Sequence, residues 1–400
     1  MKINVCGCAL VDYLFTAVDF NAPALKPYLS VNDGDGGIAP GKLVFAEDLE
    51  RFAGVPYDEL LHRITGGRKP DAVNLGGPGI VGAINAAQIL CNMDAAFRFY
   101  GVSGADGSGN TLRSIAAKTP LDMSCYTVAE GSATPSTDVL SDPAANNGKG
   151  ERSFINRLGA AADAQLKEDF FDGDVLWYAA TALTPRIHDE LTALLQRGKA
   201  AGKYNVVSTV FDFRNEKRDP EGPWPLGADP AASYKCIDLL IVDCEEALRL
   251  SGRKTLPEAF DFFRNSGVSS FFITFGAKDF FVWSDGRVFL PTGDVLTLPV
   301  SALADEDLAA HPERRGDTTG CGDNFAGGVV GSFIRQKLEG KADGTLCILD
   351  AAAWAAASGG AACFCKGGTF LEQHPGEKHA ILKRYADAYF EDERIKAILK

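Results

Sequence analysis

From residue 174 onward the chain alternates between short apolar runs and amphipathic stretches, and nothing else in it constrains the fold as tightly. Asp174-Val175-Leu176-Trp177-Tyr178-Ala179 reads as a buried strand, residues 186–201 as a helix and residues 204–211 as a second strand. Residues 236–242 and 268–275 repeat the strand pattern, and a helix starts at Asp243 between them. Repeated strand–helix units of this kind dictate a central, mostly parallel sheet flanked by helices on both faces, an α/β fold. Residues 3–10 add an apolar run that reads as a buried first strand, with Asp12 following at its end. Ligands of open α/β sheets sit beyond the carboxyl ends of strands, so Asp12 is placed to bind hydroxyls; a surface turn explains it equally well. With 46% hydrophobic content over 400 residues the chain can bury a large core, and we read residues 1–400 as a single domain.

The second constraint is chemical. Gly316-Asp317-Thr318-Thr319-Gly320-Cys321-Gly322-Asp323 runs straight into an apolar helix that continues to about Leu338. A glycine turn opening a helix aims several backbone N–H groups at one spot, where the helix dipole also favours negative charge. Gly320 and Gly322 let an anion approach the main chain. Asp323 then sets a carboxylate beside that hole, where it would repel a phosphate but can take a proton from an attacking hydroxyl. Its position at a helix N-terminus is expected to favour the ionised form. The same residues also suit a plain glycine turn with an N-capping Asp.

The block from Asp317 to Asp323 resembles the signature of the ribokinase-like (PfkB) family of carbohydrate and nucleoside kinases, which usually has Ala where this chain has Cys321. The resemblance implies a β-rich lid beside the main sheet, here drawn from residues 14–70 and 121–157. It implies Asp323 as catalytic base, with amides from Gly320, Cys321 and Gly322 as the anion hole. Asp12 matches a substrate-gripping Asp. Asn74-Leu75-Gly76-Gly77-Pro78-Gly79 resembles the Gly-Gly substrate motif, whose glycines let a sugar approach the backbone. That motif generally has Asn where Val81 stands, and Asn85, one helical turn on, is the candidate substitute. Gly104-Ala105-Asp106-Gly107-Ser108-Gly109 resembles the family's Gly-x-Asp-x-x-Gly, and Phe211-Asp212-Phe213-Arg214 a segment lining the cleft, with Arg214 its cationic candidate. Asp243-Cys244-Glu245-Glu246 stands at the family's Asn-x-x-Glu, which organises magnesium on ATP; a helix cap explains Asp243 and Glu246 too. The resemblance also implies that Thr274, Gly276, Lys278 and Thr318 fall beside the nucleotide, with Asp279 replacing a usual glycine.

The implied activity is ATP- and Mg2+-dependent phosphoryl transfer to a hydroxyl of a sugar or nucleoside. Many members also use a monovalent cation such as potassium, and a homodimer formed through the lid is implied. A non-catalytic sugar- or nucleotide-binding regulator on the same fold is the rival reading. A net charge of −13 argues against a nucleic-acid partner. No apolar run reaches membrane-spanning length, and only Lys2 precedes the first strand, so no secretory signal is expected. The ten cysteines lack any Cys-x-x-Cys spacing and the five histidines are scattered, which speaks against zinc and for reduced thiols in a cytoplasmic protein. Residues 16–69 read as an enlarged, irregular part of the lid, 301–315 as a charged insertion, and 287–290 as the return strand of a hairpin turning at Asp285-Gly286.

Overall fold

The structure is a computed structural model that describes all residues except 33, 146–149, 317 and 400. Its large sheet has eight strands. From one edge they are Leu296–Leu298, Phe280–Ser284, Ser270–Thr274, Leu239–Asp243, Tyr204–Ser208, Val175–Ala179, Lys2–Gly7 and Ala96–Tyr100. The last six run parallel; Phe280–Ser284 is antiparallel to both of its neighbours. The strand–helix alternation fixes this, because parallel strands are reachable only by crossovers. On one face lie the helices Pro78–Ile89, Cys321–Leu338 and Ile348–Ala362, and on the other Pro185–Ala200, Cys244–Ser251 and Leu256–Ser266. Side chains on both faces are apolar, so the central strands are buried on two sides.

Cys321–Leu338 packs between Pro78–Ile89 and Ile348–Ala362 at unusually close range. A Cβ on Gly327 would stand 2.5 Å from the Gly82 carbonyl oxygen, and one on Gly328 would stand 2.5 Å from that of Trp354. These glycines are what lets three helices cross with almost no side chain between them.

A smaller sheet of five strands runs in the order Leu43–Phe45, Glu151–Arg157, Ser136–Asp142, Leu10–Phe15 and Ala72–Gly76. It corrects the reading of the N-terminus. Instead of one strand over 3–10, the chain breaks at Cys8-Ala9 and crosses from the large sheet into the small one. Asp12 therefore lies within a strand of the small sheet, not at the carboxyl end of the first strand. The 16–69 segment is more ordered than expected: helices Ala46–Ala53 and Tyr57–Thr65 cover one face of the small sheet through Leu49, Tyr57 and Leu60. The charged insertion contains the helix Ala302–Ala310. The Asp285-Gly286 turn exists, but residues 287–290 form no strand; Phe280–Ser284 takes Leu296–Leu298 as its partner.

Candidate active site

The parallel strands end on one side of the large sheet, and the chemistry-bearing residues gather there. Leu239–Asp243 ends in Asp243, which caps the next helix: Glu246 N–H donates to Asp243 Oδ1 at 2.7 Å, and Asp243 N–H donates to Glu246 Oε2 at 3.0 Å. The capping box is thus real, and it leaves two carboxylates side by side. Thr209, just past Tyr204–Ser208, donates its hydroxyl to Glu246 Oε2 at 2.6 Å. Burial, and then the charge of Asp243, push the Glu246 carboxyl well above the ordinary carboxylate range, with a smaller contribution from Asp323; burial also raises Asp243. Thr274 ends the neighbouring strand in register with Asp243, and Gly276 turns the chain so that Lys278 lies over the exposed Phe275 ring at 4.1 Å. Asp279 is held by Arg394 at 3.0 Å.

Gly320 begins Cys321–Leu338 with φ of 75°, and a Cβ there would meet Gly368 Cα at 2.7 Å. Both facts demand glycine. Gly322 differs: a Cβ on it would meet nothing within 4 Å, so its main chain borders open space. Asn324 ties the turn down, donating to the Gly320 carbonyl at 2.8 Å and the Gly368 carbonyl at 2.9 Å. Asp323 sits in the first helical turn beside that space. Here the electrostatic expectation fails, because the protein packed around Asp323 raises its pKa from 3.8 to about 7. Desolvation outweighs the helix dipole. Thr318 and Thr319 both receive the guanidinium of Arg152, which comes from the small sheet. Asp317 lies outside the described residues.

The small sheet's second face looks toward this turn. Phe15, with Tyr13, packs under the two covering helices, so Asp12 points the other way. Strand register sets Asn74 and Thr137 beside Asp12, and Asn156 beside Thr137. The result is a buried polar row, Asn74-Asp12-Thr137-Asn156, on the face that also carries Arg152. A Cβ on Gly76 would collide with the Asp12 carboxylate, and one on Gly77 (φ 104°) would stand 2.5 Å from the Cys8 carbonyl oxygen. The paired glycines are therefore required by the packing of the chain itself.

Two candidates are engaged with other partners. Asn85 is 1% exposed and bridges helices, donating to the Asn324 carbonyl at 2.9 Å and to Ser358 Oγ at 3.0 Å. The close helix crossing holds it there. Arg214 pairs with Asp189 on Pro185–Ala200, at 2.9 Å for one of its two contacts. Conversely, Thr137, Asn156 and Thr209 carry no mark in the sequence, and Asn74 stands there only as the start of the glycine motif. Only their pairing and helix contacts distinguish them, and a single sequence carries no such signal. Among the described residues there is no cluster of three or more His, Cys, Asp or Glu placed to hold a metal, and no helix long and apolar enough to cross a membrane.

Comparison with known proteins points one way. A family profile described as pfkB family carbohydrate kinase matches residues 73–374. Among solved structures, the chain is similar to adenosine kinase from Schistosoma mansoni in complex with 2-fluoroadenosine, with a TM-score of 0.65 at 16% identity, over 92% of this chain and 96% of that one. It is also similar to ribokinase from Thermotoga maritima (TM-score 0.59, 15% identity, 97% and 99% covered). A putative ribokinase II from E. coli in complex with ATP and Mg2+ matches with a TM-score of 0.61 at 17% identity, over 96% and 99%.

Proposed function

Because the chain belongs to the pfkB family of carbohydrate kinases, we propose that it transfers the γ-phosphoryl group of ATP to a hydroxyl of an unphosphorylated sugar or nucleoside, with Asp323 as general base. The observation that carries this reading is the pairing of Asp323, at a helix-opening turn bordering open space, with the buried polar row around Asp12 that faces the same turn. A carboxylate with neutral amide and hydroxyl neighbours accepts hydrogen bonds from vicinal hydroxyls but repels a phosphorylated acceptor. A base works best with its pKa near the operating pH, and Asp323 is held at about 7.

In this reading the acceptor lies on Asp12, Asn74, Thr137 and Asn156, with its reacting hydroxyl at Asp323. The amides of Gly320, Cys321 and Gly322 stabilise charge on the transferring group as Asp323 takes the proton. Bound ATP supplies that group, and magnesium supplies the charge neutralisation. The residues fit both: Asp243 and Glu246 offer adjacent hard oxygen donors, and a divalent ion beside them would favour the charged forms that burial disfavours. Thr274, Gly276 and Lys278 line the adjoining strand end. Potassium fits less well, since the guanidinium of Arg152 already stands on the threonines of the turn. The small sheet is the lid of a single domain.

An ATP-consumption screen across free sugars, sugar phosphates and nucleosides tests the proposal. We expect turnover with a neutral polyol or nucleoside. Turnover confined to sugar phosphates would overturn the acceptor assignment, and ATP binding without turnover on any acceptor would favour a binding regulator.

A further inference from the structure

Two of the ten cysteines meet at the anion turn. Cys321 opens the helix Cys321–Leu338, and Cys363 follows the helix Ile348–Ala362 as its C-cap. Their sulfurs are 3.6 Å apart, in a thiol–thiol hydrogen bond. Both side chains retain some exposure, unlike the buried Cys6 and Cys8. The hydrogen bond with Cys321 is the main reason the Cys363 thiol is held at about 7, below its ordinary 9.0; the charges of Arg315 and Arg152 add to this, and Asp305 and burial oppose it. A thiol in that range is substantially thiolate at neutral pH, and thiolate is the attacking form in disulfide exchange.

We propose that Cys321 and Cys363 form a redox-active dithiol that reacts with low-molecular-weight disulfides of the glutathione type, and that the resulting bridge closes the anion turn to phosphoryl transfer. The Cys363 thiolate attacks one sulfur of the small disulfide, forming a mixed disulfide and expelling one thiolate. Cys321 gives up its proton, attacks Cys363 Sγ and expels the second thiolate. Two protein thiols are oxidised to one disulfide, and one small disulfide is reduced to two thiols. A disulfide needs about 2.05 Å between sulfurs, so the pair must close by about 1.5 Å. The turn cannot simply follow. Gly316 N–H is bonded to the Cys363 carbonyl at 2.9 Å, Gly320 rests on Gly368, and Arg152 grips Thr318 and Thr319. Closure therefore re-aims the Cys321 and Gly322 amides, and anion-hole donors tolerate only about 0.5 Å of displacement.

The effect on turnover rests on the kinase reading; formation of the bridge does not. Full-length protein would be equilibrated at stepped ratios of reduced to oxidised glutathione, alkylated, and mapped by peptide mass while ATP turnover is followed. We expect a Cys321–Cys363 cross-linked peptide to accumulate as turnover falls at least about tenfold, both reversed by dithiothreitol. Cys363→Ser should form no bridge and keep its turnover in oxidised glutathione, with Cys363→Ala as a second variant. The proposal is overturned if both thiols stay alkylatable at every ratio, if glutathione remains on Cys363 without closing, or if cross-linked protein turns over at the reduced rate. Should no acceptor be turned over at all, the kinase reading fails, and the peptide map alone decides the dithiol.

Discussion

At Asp323 two local effects oppose each other. The first turn of a helix favours the carboxylate's charge, while the protein packed around it removes the water that charge needs, and burial wins. A base with a pKa of about 7 must lose its proton to work. We therefore expect kcat/KM to fall about tenfold per pH unit below 7 and to level off above it; a profile flat down to pH 5 would show that another group takes the proton. The same shift affects stability. The folded state binds this proton more tightly than the unfolded chain, so its contribution is present at acid pH and is lost as pH rises from 3.8 through about 7. Asp323→Asn should accordingly stabilise the fold by about 1–3 kcal/mol at pH 8, with the gain shrinking toward pH 5, as read from urea unfolding. A variant less stable than wild type at pH 8 would contradict the burial account. The presence of a carboxylate at this turn is plain from the sequence, but its ionisation is not, because that depends on atoms far along the chain.

At the scale of elements, glycine spacing in Cys321–Leu338 sets the helix crossing on which the site is mounted. Gly328→Ala forces a methyl group to within 2.5 Å of the Trp354 carbonyl oxygen. We expect a loss of about 1–3 kcal/mol, measured by chemical unfolding, with the acid limb of the activity profile unchanged. A neutral substitution would mean that the helices separate freely. The crossing also explains Asn85: its place on a helix face is legible, whereas its burial against Asn324 and Ser358 depends on how closely that neighbour packs. The helices Ala46–Ala53 and Tyr57–Thr65 do carry legible end signals. Each has acids in its first turn, a base in its last and a left-handed glycine after its end, Gly54 and Gly66. The break at Cys8-Ala9 had no such marker, since both sides of it are apolar and only the pairing of Leu10–Phe15 with Ala72–Gly76 and Ser136–Asp142 reveals it.

Across the whole molecule, Arg152 links the small sheet to the helix-opening turn through Thr318 and Thr319. Arg152→Ala should loosen Thr318 and Thr319 relative to the polar row, raising KM for the acceptor and lowering kcat by roughly tenfold, with thermal stability little changed. Unchanged kinetics with a large loss of stability would reduce Arg152 to a brace. The order of motifs along the chain made the family and the large sheet readable, whereas the buried polar row was not, because strand register alone brings Asp12, Thr137 and Asn156 together. The central claim is that Asp323 accepts the proton of the hydroxyl that ATP phosphorylates. Its most direct test is phosphoryl transfer by wild type and Asp323→Asn at saturating ATP and acceptor, with both affinities measured alongside. We expect binding of both ligands to persist while turnover falls by roughly 10²–10⁴, about 3–5 kcal/mol of barrier. Intact binding with turnover reduced less than about tenfold would contradict it.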